Sequence, residues 1–328
     1  MIKRVYIPIL LLLAGFKPAT AQDVHFSQFY ANPLYLAPSF AGSTGGTRLV
    51  GVFRDQWPRI PGTYVSYAIS ADHFLPRFNS GFGLHMISDN AGNGKLVTTN
   101  VGLNYSYKVK LTNKMFLQPG LAAYYYSRKV DYSGINFADA NIGGEFVGAT
   151  SETLPYFITQ HADFAISSLL YGELYWAGIN LDHLMTLSPN LRSDFRYNDM
   201  RLSVFGGYKI PIVRRTRNHN NEFVHVAANY RVQSGIHQLD LGGYYNRKPF
   251  MVGIWYRGIP LVNEYTSSDA LIYLVGLRYK EYVFSYSYDM SVGDLISQTG
   301  GSHEISISWT LDPQSRPKKY RSIPCPEL

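Results

Sequence analysis

The chain has 328 residues, a length that suits two domains of roughly 150 residues or a single β-barrel. Aromatic residues make up 15% and charged residues only 16%, against about a quarter charged in ordinary soluble domains, and this excludes intrinsic disorder. The formal charge of +7 is spread over turns and tails without the basic helix or stripe that a nucleic-acid partner needs, and the single cysteine, Cys325, excludes an intramolecular disulfide and a cysteine-based zinc site.

From the N-terminus, Lys3 and Arg4 precede the apolar run Val5 to Gly15, and Ala19-Thr20-Ala21 supplies a small-residue cleavage pattern. Residues 1–21 therefore read as a secretory signal peptide, with a mature chain starting at Gln22. Removing Lys3, Arg4 and Lys17 lowers the formal charge by three, from +7 to +4. No cysteine follows the cleavage site, which argues against a lipoprotein. Beyond it no stretch approaches the ~18 consecutive apolar residues of a transmembrane helix, so the mature chain is either soluble and periplasmic or a membrane β-barrel.

Residues 22–46 form an aromatic segment without strand alternation, read as a periplasmic strip or a plug under the barrel floor. From 47 onward apolar side chains recur at every second position over segments of about ten residues. Val101, Leu103, Tyr105 and Tyr107 alternate with Gly102, Asn104, Ser106 and Lys108; Tyr282, Phe284, Tyr286 and Tyr288 alternate with Val283, Ser285, Ser287 and Asp289; Ile305, Ile307 and Trp309 alternate with Glu304, Ser306 and Ser308. One face is greasy, and the other is as polar as a barrel lumen. About fourteen such segments occur, near 47–55, 62–72, 80–88, 97–110, 115–128, 160–171, 174–182, 200–210, 222–233, 236–247, 250–258, 269–279, 282–290 and 302–312. The expected fold is all-β, a transmembrane antiparallel barrel over 47–312, followed by a tail over 313–328.

The connections sort by parity. Links after even-numbered strands are mostly tight, while several after odd-numbered strands are long, notably 129–159, 183–199, 259–268 and 291–301, the pattern of short periplasmic turns and long external loops. Both termini are then expected in the periplasm. The turns on that side carry Arg77, Lys114, Arg214, Arg215, Arg217, Arg247, Lys248 and Lys280, and the tail adds Arg316, Lys318, Lys319 and Arg321. This basic face reads either as turn solubility or as attraction for an acidic periplasmic partner.

Searches for chemistry return little. There is no G-x-S-x-G, H-E-x-x-H, G-x-x-x-x-G-K-[ST] or G-x-G-x-x-G motif. The run from Asp139 starts like a calcium loop but has Thr150 where a bidentate Glu is needed. His85, His161 and His225 lie at lumen positions without ligand spacing, and Asn90 to Lys95 is a Gly-containing hairpin rather than a phosphate loop. No catalytic residue, cofactor or metal is expected.

Two segments carry a resemblance. Asp23-Val24-His25-Phe26-Ser27-Gln28-Phe29-Tyr30-Ala31-Asn32-Pro33-Leu34-Tyr35-Leu36-Ala37-Pro38-Ser39-Phe40-Ala41-Gly42 resembles the N-terminal signature of the PorP/SprF family of the Bacteroidetes type IX secretion system. Phe53-Arg54-Asp55-Gln56-Trp57-Pro58-Arg59-Ile60-Pro61-Gly62-Thr63-Tyr64-Val65-Ser66-Tyr67 resembles that family's strand-one to strand-two hairpin, and Cys325-Pro326 resembles its C-terminal Cys-Pro; on its residues alone Gln56-Trp57-Pro58 reads as a rigid outer turn with Trp57 in the aromatic girdle. The resemblance implies a non-enzymatic outer-membrane accessory protein that assists export or surface retention of adhesive or gliding proteins bearing type IX C-terminal sorting domains. It further implies periplasmic partners, including peptidoglycan-associated components. His25, Phe26, Phe29 and Tyr30, with Arg316, Lys318, Lys319 and Arg321, are the candidate partner-binding residues, and plug packing is the competing role for the first four. A FadL-like or porin-like channel for small solutes is the alternative. A lumen filled by Arg54, His85, Arg231, Asp240, Arg278 and Glu304 would favour a barrel that does not conduct.

Overall fold

The computed structural model describes residues 23–92, 96–130, 141–142, 145–146, 158–187, 199–212, 222–259, 270–291, 299–311 and 325. Fourteen long strands follow one another: β1 (Thr47–Gln56), β2 (Tyr64–Leu75), β3 (Ser80–Ala91), β4 (Leu96–Tyr107), β5 (Phe116–Val130), β6 (Ile158–Tyr171), β7 (Tyr175–Asp182), β8 (Arg201–Pro211), β9 (Phe223–Gln233), β10 (Ile236–Arg247), β11 (Phe250–Arg257), β12 (Ala270–Tyr279), β13 (Tyr282–Ser291) and β14 (Ser302–Leu311). Each pairs antiparallel with the next, and β1 pairs with β14 from Thr47↔Leu311 to Gln56↔Ser302, which closes the barrel. Closure matters because no water in a bilayer can satisfy an open sheet edge. Short pieces, Val109–Lys110 against the start of β5 and Asn141–Ile142 against Glu145–Phe146, complete the strands among the described residues. No described helix is long and apolar enough to cross a membrane.

The two-residue period decides the facing. On β14, Glu304 is 0% exposed and Ile305 is 53% exposed; on β13, Ser287 is buried between the exposed Tyr286 and half-buried Tyr288. Tyr282, Phe284, Tyr286, Ile305 and Ile307 point outward as the alternation predicts, and Ser285, Ser287, Glu304 and Ser306 point inward. Outward aromatics gather near both ends. Phe82, Tyr105, Tyr175, Tyr208, Phe250 and Tyr279 lie toward one rim, and Phe53, Tyr67, Tyr230 and Tyr286 toward the other, the girdles of a membrane barrel.

One end carries the tight connections 76–79, 172–174, 248–249 and 280–281, and the opposite end carries the long ones. The exceptions are the short connections 92–95 and 234–235 on the long-loop end and the longer connection 212–222 on the tight-turn end. At the long-loop end the Trp57 N–H donates to the Gly301 carbonyl (2.9 Å) and the Arg59 N–H to that of Thr299 (3.4 Å). These bonds continue the β1–β14 ladder past the strands, and Trp57 packs edge-on against Tyr64 at 5.7 Å.

Candidate functional site: a plugged lumen

Residues 23–46 carry only one acidic side chain, Asp23, one imidazole, His25, no Lys or Arg, and many apolar side chains, so water is a poor environment for them and the barrel interior a good one. The prolines shape the segment. A 3₁₀ turn (Phe29–Ala31) leads into the single-turn helix α1 (Pro33–Leu36) and a second 3₁₀ turn (Pro38–Phe40), with Pro33 and Pro38 at first positions where the missing N–H costs nothing. Phe26, Phe29, Tyr30, Leu34, Leu36 and Phe40 are all buried.

At the tight-turn end the wall makes room for this chain with glycine. A Cβ on Gly81 of β3 would sit 2.0 Å from the Ala41 carbonyl oxygen, and one on Gly120 of β5 would sit 2.3 Å from the Ser39 nitrogen. The backbone is bonded where it touches: Ser106 and Gln118 donate to the Ala41 oxygen (2.7 and 2.8 Å), and the Ser39 N–H donates to Ser167 (2.8 Å). Arg48 donates to Asp72 (2.8 Å) and to the Phe40 oxygen (3.0 Å), and the Gly42 N–H caps the same carboxylate (2.8 Å). The Cys325 N–H donates to the Ser43 oxygen (3.0 Å), so the C-terminal segment also meets this floor. Burial pushes the Cys325 thiol up to about 12 against the pull of Arg48 and Lys108, which keeps it protonated.

Above the floor an aromatic layer forms. Tyr30 stacks on Trp255 (5.1 Å), Phe29 meets the same ring edge-on (5.2 Å), and Phe40 packs against Phe205 (5.6 Å) and Trp176 (5.9 Å). Each such pair adds about 0.5–1.5 kcal/mol beyond area burial.

The next layer is ionic. Glu304 accepts the consecutive N–H groups of Ser27 (2.7 Å) and Gln28 (2.8 Å) and pairs with Arg54 (3.1 Å). Arg54 also reaches Asp289 (3.0 Å); Arg257 bridges Asp289 (3.1 Å) and Asp240 (2.9 Å); Arg231 reaches Asp240 (3.5 Å). Three guanidiniums thus face three carboxylates. The Ser27 hydroxyl sits among Asp289, Arg54 and Arg257, and the Gln28 side chain is held by Ser285, Ser287 and Ser306. His25 lies 3.2 Å from Asp240, and Gln238 stands 2.9 Å from its other ring nitrogen.

The segment ends at the long-loop rim. Asp23 lies 2.7 Å from His183 Nε2 and 3.1 Å from Arg201, and Gln233 donates to it at 3.3 Å. His183 Nδ1 faces Asp163 at 2.6 Å, and Arg201 donates to Asp182 at 2.6 Å. Burial alone would lower the His183 pKa, but Asp23 and Asp163 push it up to about 10; burial alone would raise that of Asp23, but His183 and Arg201 hold it well below the usual carboxylate range. Both are charged at neutral pH.

This geometry corrects two expectations. The aromatic segment occupies the lumen itself rather than the space beneath it, so Phe26, Phe29 and Tyr30 are enclosed by the barrel and His25 is largely so. The described chain also starts and finishes at opposite ends: Asp23 sits at the long-loop rim, whereas Cys325 meets Ser43 at the tight-turn floor. The physical reason is that an aromatic chain gains most by threading a wall of charges and glycines that needs partners. The tail residues Arg316, Lys318, Lys319 and Arg321 lie outside the described residues, as do the 139–140 start of the calcium-like run and 93–95 of the hairpin.

Of the expected lumen residues, Arg54, His85, Arg231, Asp240 and Glu304 are buried and Arg278 half-buried. Asp289 and Asp163 stand on the inward rows of β13 and β6, where the period of two marks them as polar lumen residues but not as partners of the plug, whereas Arg257, Asp182, His183 and Arg201 stand at or next to strand ends where alternation runs out. The histidines read as structural: Trp176 donates to His225 (3.1 Å), His85 faces Asn104 (3.0 Å) and His161 stacks on Tyr126 (5.2 Å). No group able to hold a metal occurs among the described residues.

Among solved structures the chain is similar to a FadL homologue of Pseudomonas aeruginosa (12% identity, TM-score 0.45, covering 90% of this chain and 100% of that one). It is also similar to CdiB from Acinetobacter baumannii (9%, 0.43, covering 81% and 60%) and to a mutant porin of Rhodopseudomonas blastica (9%, 0.34, covering 81% and 99%). Likenesses of this order carry no argument about function. No curated protein matches the sequence significantly. The family model described as "Type IX secretion system membrane protein PorP/SprF" matches residues 19–309, and that span takes in both the lumen-threading segment and nearly the whole barrel. The chain belongs to the PorP/SprF family of type IX secretion system membrane proteins.

Proposed function

We propose that this protein is a non-enzymatic outer-membrane accessory of the type IX system that serves as a sealed platform, assisting export or surface retention of secreted proteins. The observation that carries the reading is the lumen. Residues 23–46 run from one rim to the other, pinned by backbone N–H bonds to the Glu304 and Asp72 carboxylates and by the ion pairs of Asp23 with His183 and Arg201, and a channel would have to leave those buried groups unpaired to open, at about 1–3 kcal/mol for each hydrogen-bond partner lost and about 3–5 kcal/mol for a broken buried ion pair. On this reading residues 1–21 are removed as a signal peptide, the tight turns face the periplasm, and the long loops face outward to meet clients carrying C-terminal sorting domains. Because Phe26 and Phe29 are enclosed, docking onto periplasmic and peptidoglycan-associated components falls to the basic tail, Arg316, Lys318, Lys319 and Arg321. Neutralising those four charges should weaken partner capture mainly at low salt and flatten its salt dependence, because added salt screens exposed rim charges.

Planar-bilayer recording of the purified barrel, run beside co-purification and mass spectrometry from cells, is the test. A silent barrel that brings down a secreted protein supports the reading. Steady currents with no protein partner would favour the channel reading instead.

A further inference from the structure

The tight-turn rim carries its charge unevenly. Arg247 pairs with Glu222 at 3.3 Å, and Lys280 stands next to Glu281. The turns 76–79 and 108–115, which flank the paired strands β3 and β4, hold the exposed Arg77, Lys110 and Lys114 and no acidic residue. The turn after β6 adds the exposed Glu173, so three positive charges less one leave this sector at +2.

The cations stand on fixed backbone. Asn79 takes a left-handed φ of +50°, which asparagine tolerates, and its carbonyl accepts the Lys108 N–H at 2.7 Å, so the two turns are bonded to each other. The Leu111 and Thr112 N–H groups both donate to the Met115 carbonyl at 3.1 Å, which closes the second turn. Greasy surface adjoins the charge: on these same turns Phe78 is 60% and Leu111 47% exposed, and Phe82, Tyr105 and Tyr107 continue an exposed belt along the ends of β3 and β4. The Arg77 guanidinium lies 5.7 Å from the centre of the Phe78 ring.

A water-soluble acidic partner would answer the cations and leave Phe78 and Leu111 in water. An anionic lipid answers both, because its phosphate meets the cations at headgroup level while its acyl chains cover the rings. A zwitterionic headgroup carries its own cation and gains little from a sector at +2. We infer that this sector is a binding site for the phosphate of an anionic glycerophospholipid, in the leaflet that the proposed topology makes periplasmic.

The purified full-length barrel in detergent, mixed with equal amounts of dioleoyl phosphatidylglycerol and dioleoyl phosphatidylcholine, can be read by native mass spectrometry for the lipid that stays bound. Each basic residue at an anionic surface raises binding about fivefold, so phosphatidylglycerol should be preferred by about tenfold or more. Arg77→Gln combined with Lys110→Gln should bring that preference below about threefold, and Lys110→Gln with Lys114→Gln serves if the first pair loses its heat-modifiable barrel band. Lys248→Gln with Lys280→Gln removes the same charge elsewhere on the rim and should leave the preference within about twofold of the parent. Phe78→Ser should lower retention of both lipids and keep their ratio. The inference fails if the two lipids are retained alike, or if the control pair costs as much as the patch pair. Displacement of phosphatidylglycerol by hexaglutamate at equal charge would mark a surface for an acidic protein and overturn the lipid assignment. Retention of lipid A above phosphatidylglycerol would overturn the assigned leaflet and with it the periplasmic placement of the tight turns, whereas equal retention of the two glycerophospholipids sinks the inference and leaves that placement intact.

Discussion

The two halves of the plug are held by different physics. From Phe29 to Gly42 the chain is anchored by ring stacking on Trp255, close glycine contacts and backbone hydrogen bonds, with Asp72 and Arg48 supplying the charge. From Asp23 to Gln28 almost every contact ends on a carboxylate, a guanidinium or an imidazole. The first kind of anchor is set mainly by shape and close packing. The second is directional, leaves an uncompensated charge when one partner is lost, and yields to titration. The lower half therefore behaves as a fixed floor, and the upper half as the part through which conditions can act on the lumen.

The largest effect should come from the floor. Trp255→Ala removes the ring that both Phe29 and Tyr30 lean on and should cost about 3–5 kcal/mol, with about 0.5–1.5 more for each lost ring pair. Denaturant unfolding of the refolded barrel measures it, and a loss below about 1 kcal/mol would mean that the floor does not depend on that ring.

Glu304→Ala attacks the upper half, stripping the acceptor of two backbone N–H groups and the partner of Arg54, for a comparable loss of about 3–5 kcal/mol confined to residues 23–28. Limited proteolysis should cut that stretch in the variant alone. Equal protection in both proteins would place the anchor elsewhere.

The barrel wall comes next. Phe284→Arg puts charge on the lipid face for about 2–4 kcal/mol near the midplane, read as reduced insertion. Ser285→Arg, one residue on, faces Gln28 at hydrogen-bond distance rather than a wet channel, so it should displace the plug while the wall still inserts. If Ser285→Arg keeps residues 23–28 protected, the assigned packing is wrong.

Titration should give the smallest effect. His183 has a folded pKa raised to about 10, so its contribution is complete below its unfolded pKa of about 6.5 and is lost as pH rises through about 10. Residues 23–28 should loosen between neutral pH and about pH 10, a change that His183→Gln removes. An identical proteolysis profile for the two proteins across that window would exclude His183 as the titrating group.

What the sequence determined by itself was everything governed by the two-residue period. Strand number, the outward Tyr282, Phe284 and Ile305, the inward Ser287 and Glu304, and the grouping of long loops at one end all follow from local alternation and from the need to leave no sheet edge in lipid. The aromatic signature at 23–42 was equally visible, but its place was not. Only closure brings Asp289, Arg257 and Glu304, from three strands, around the Ser27 hydroxyl and backbone, and sets Gly81 and Gly120 against Ala41 and Ser39. Those partners are separated from the plug by some 40 to 280 positions, a distance over which a period of two carries no information. Whether a polar row faces water or another piece of the same chain was decided by the tertiary structure alone, because buried charges settle where their counter-charges are.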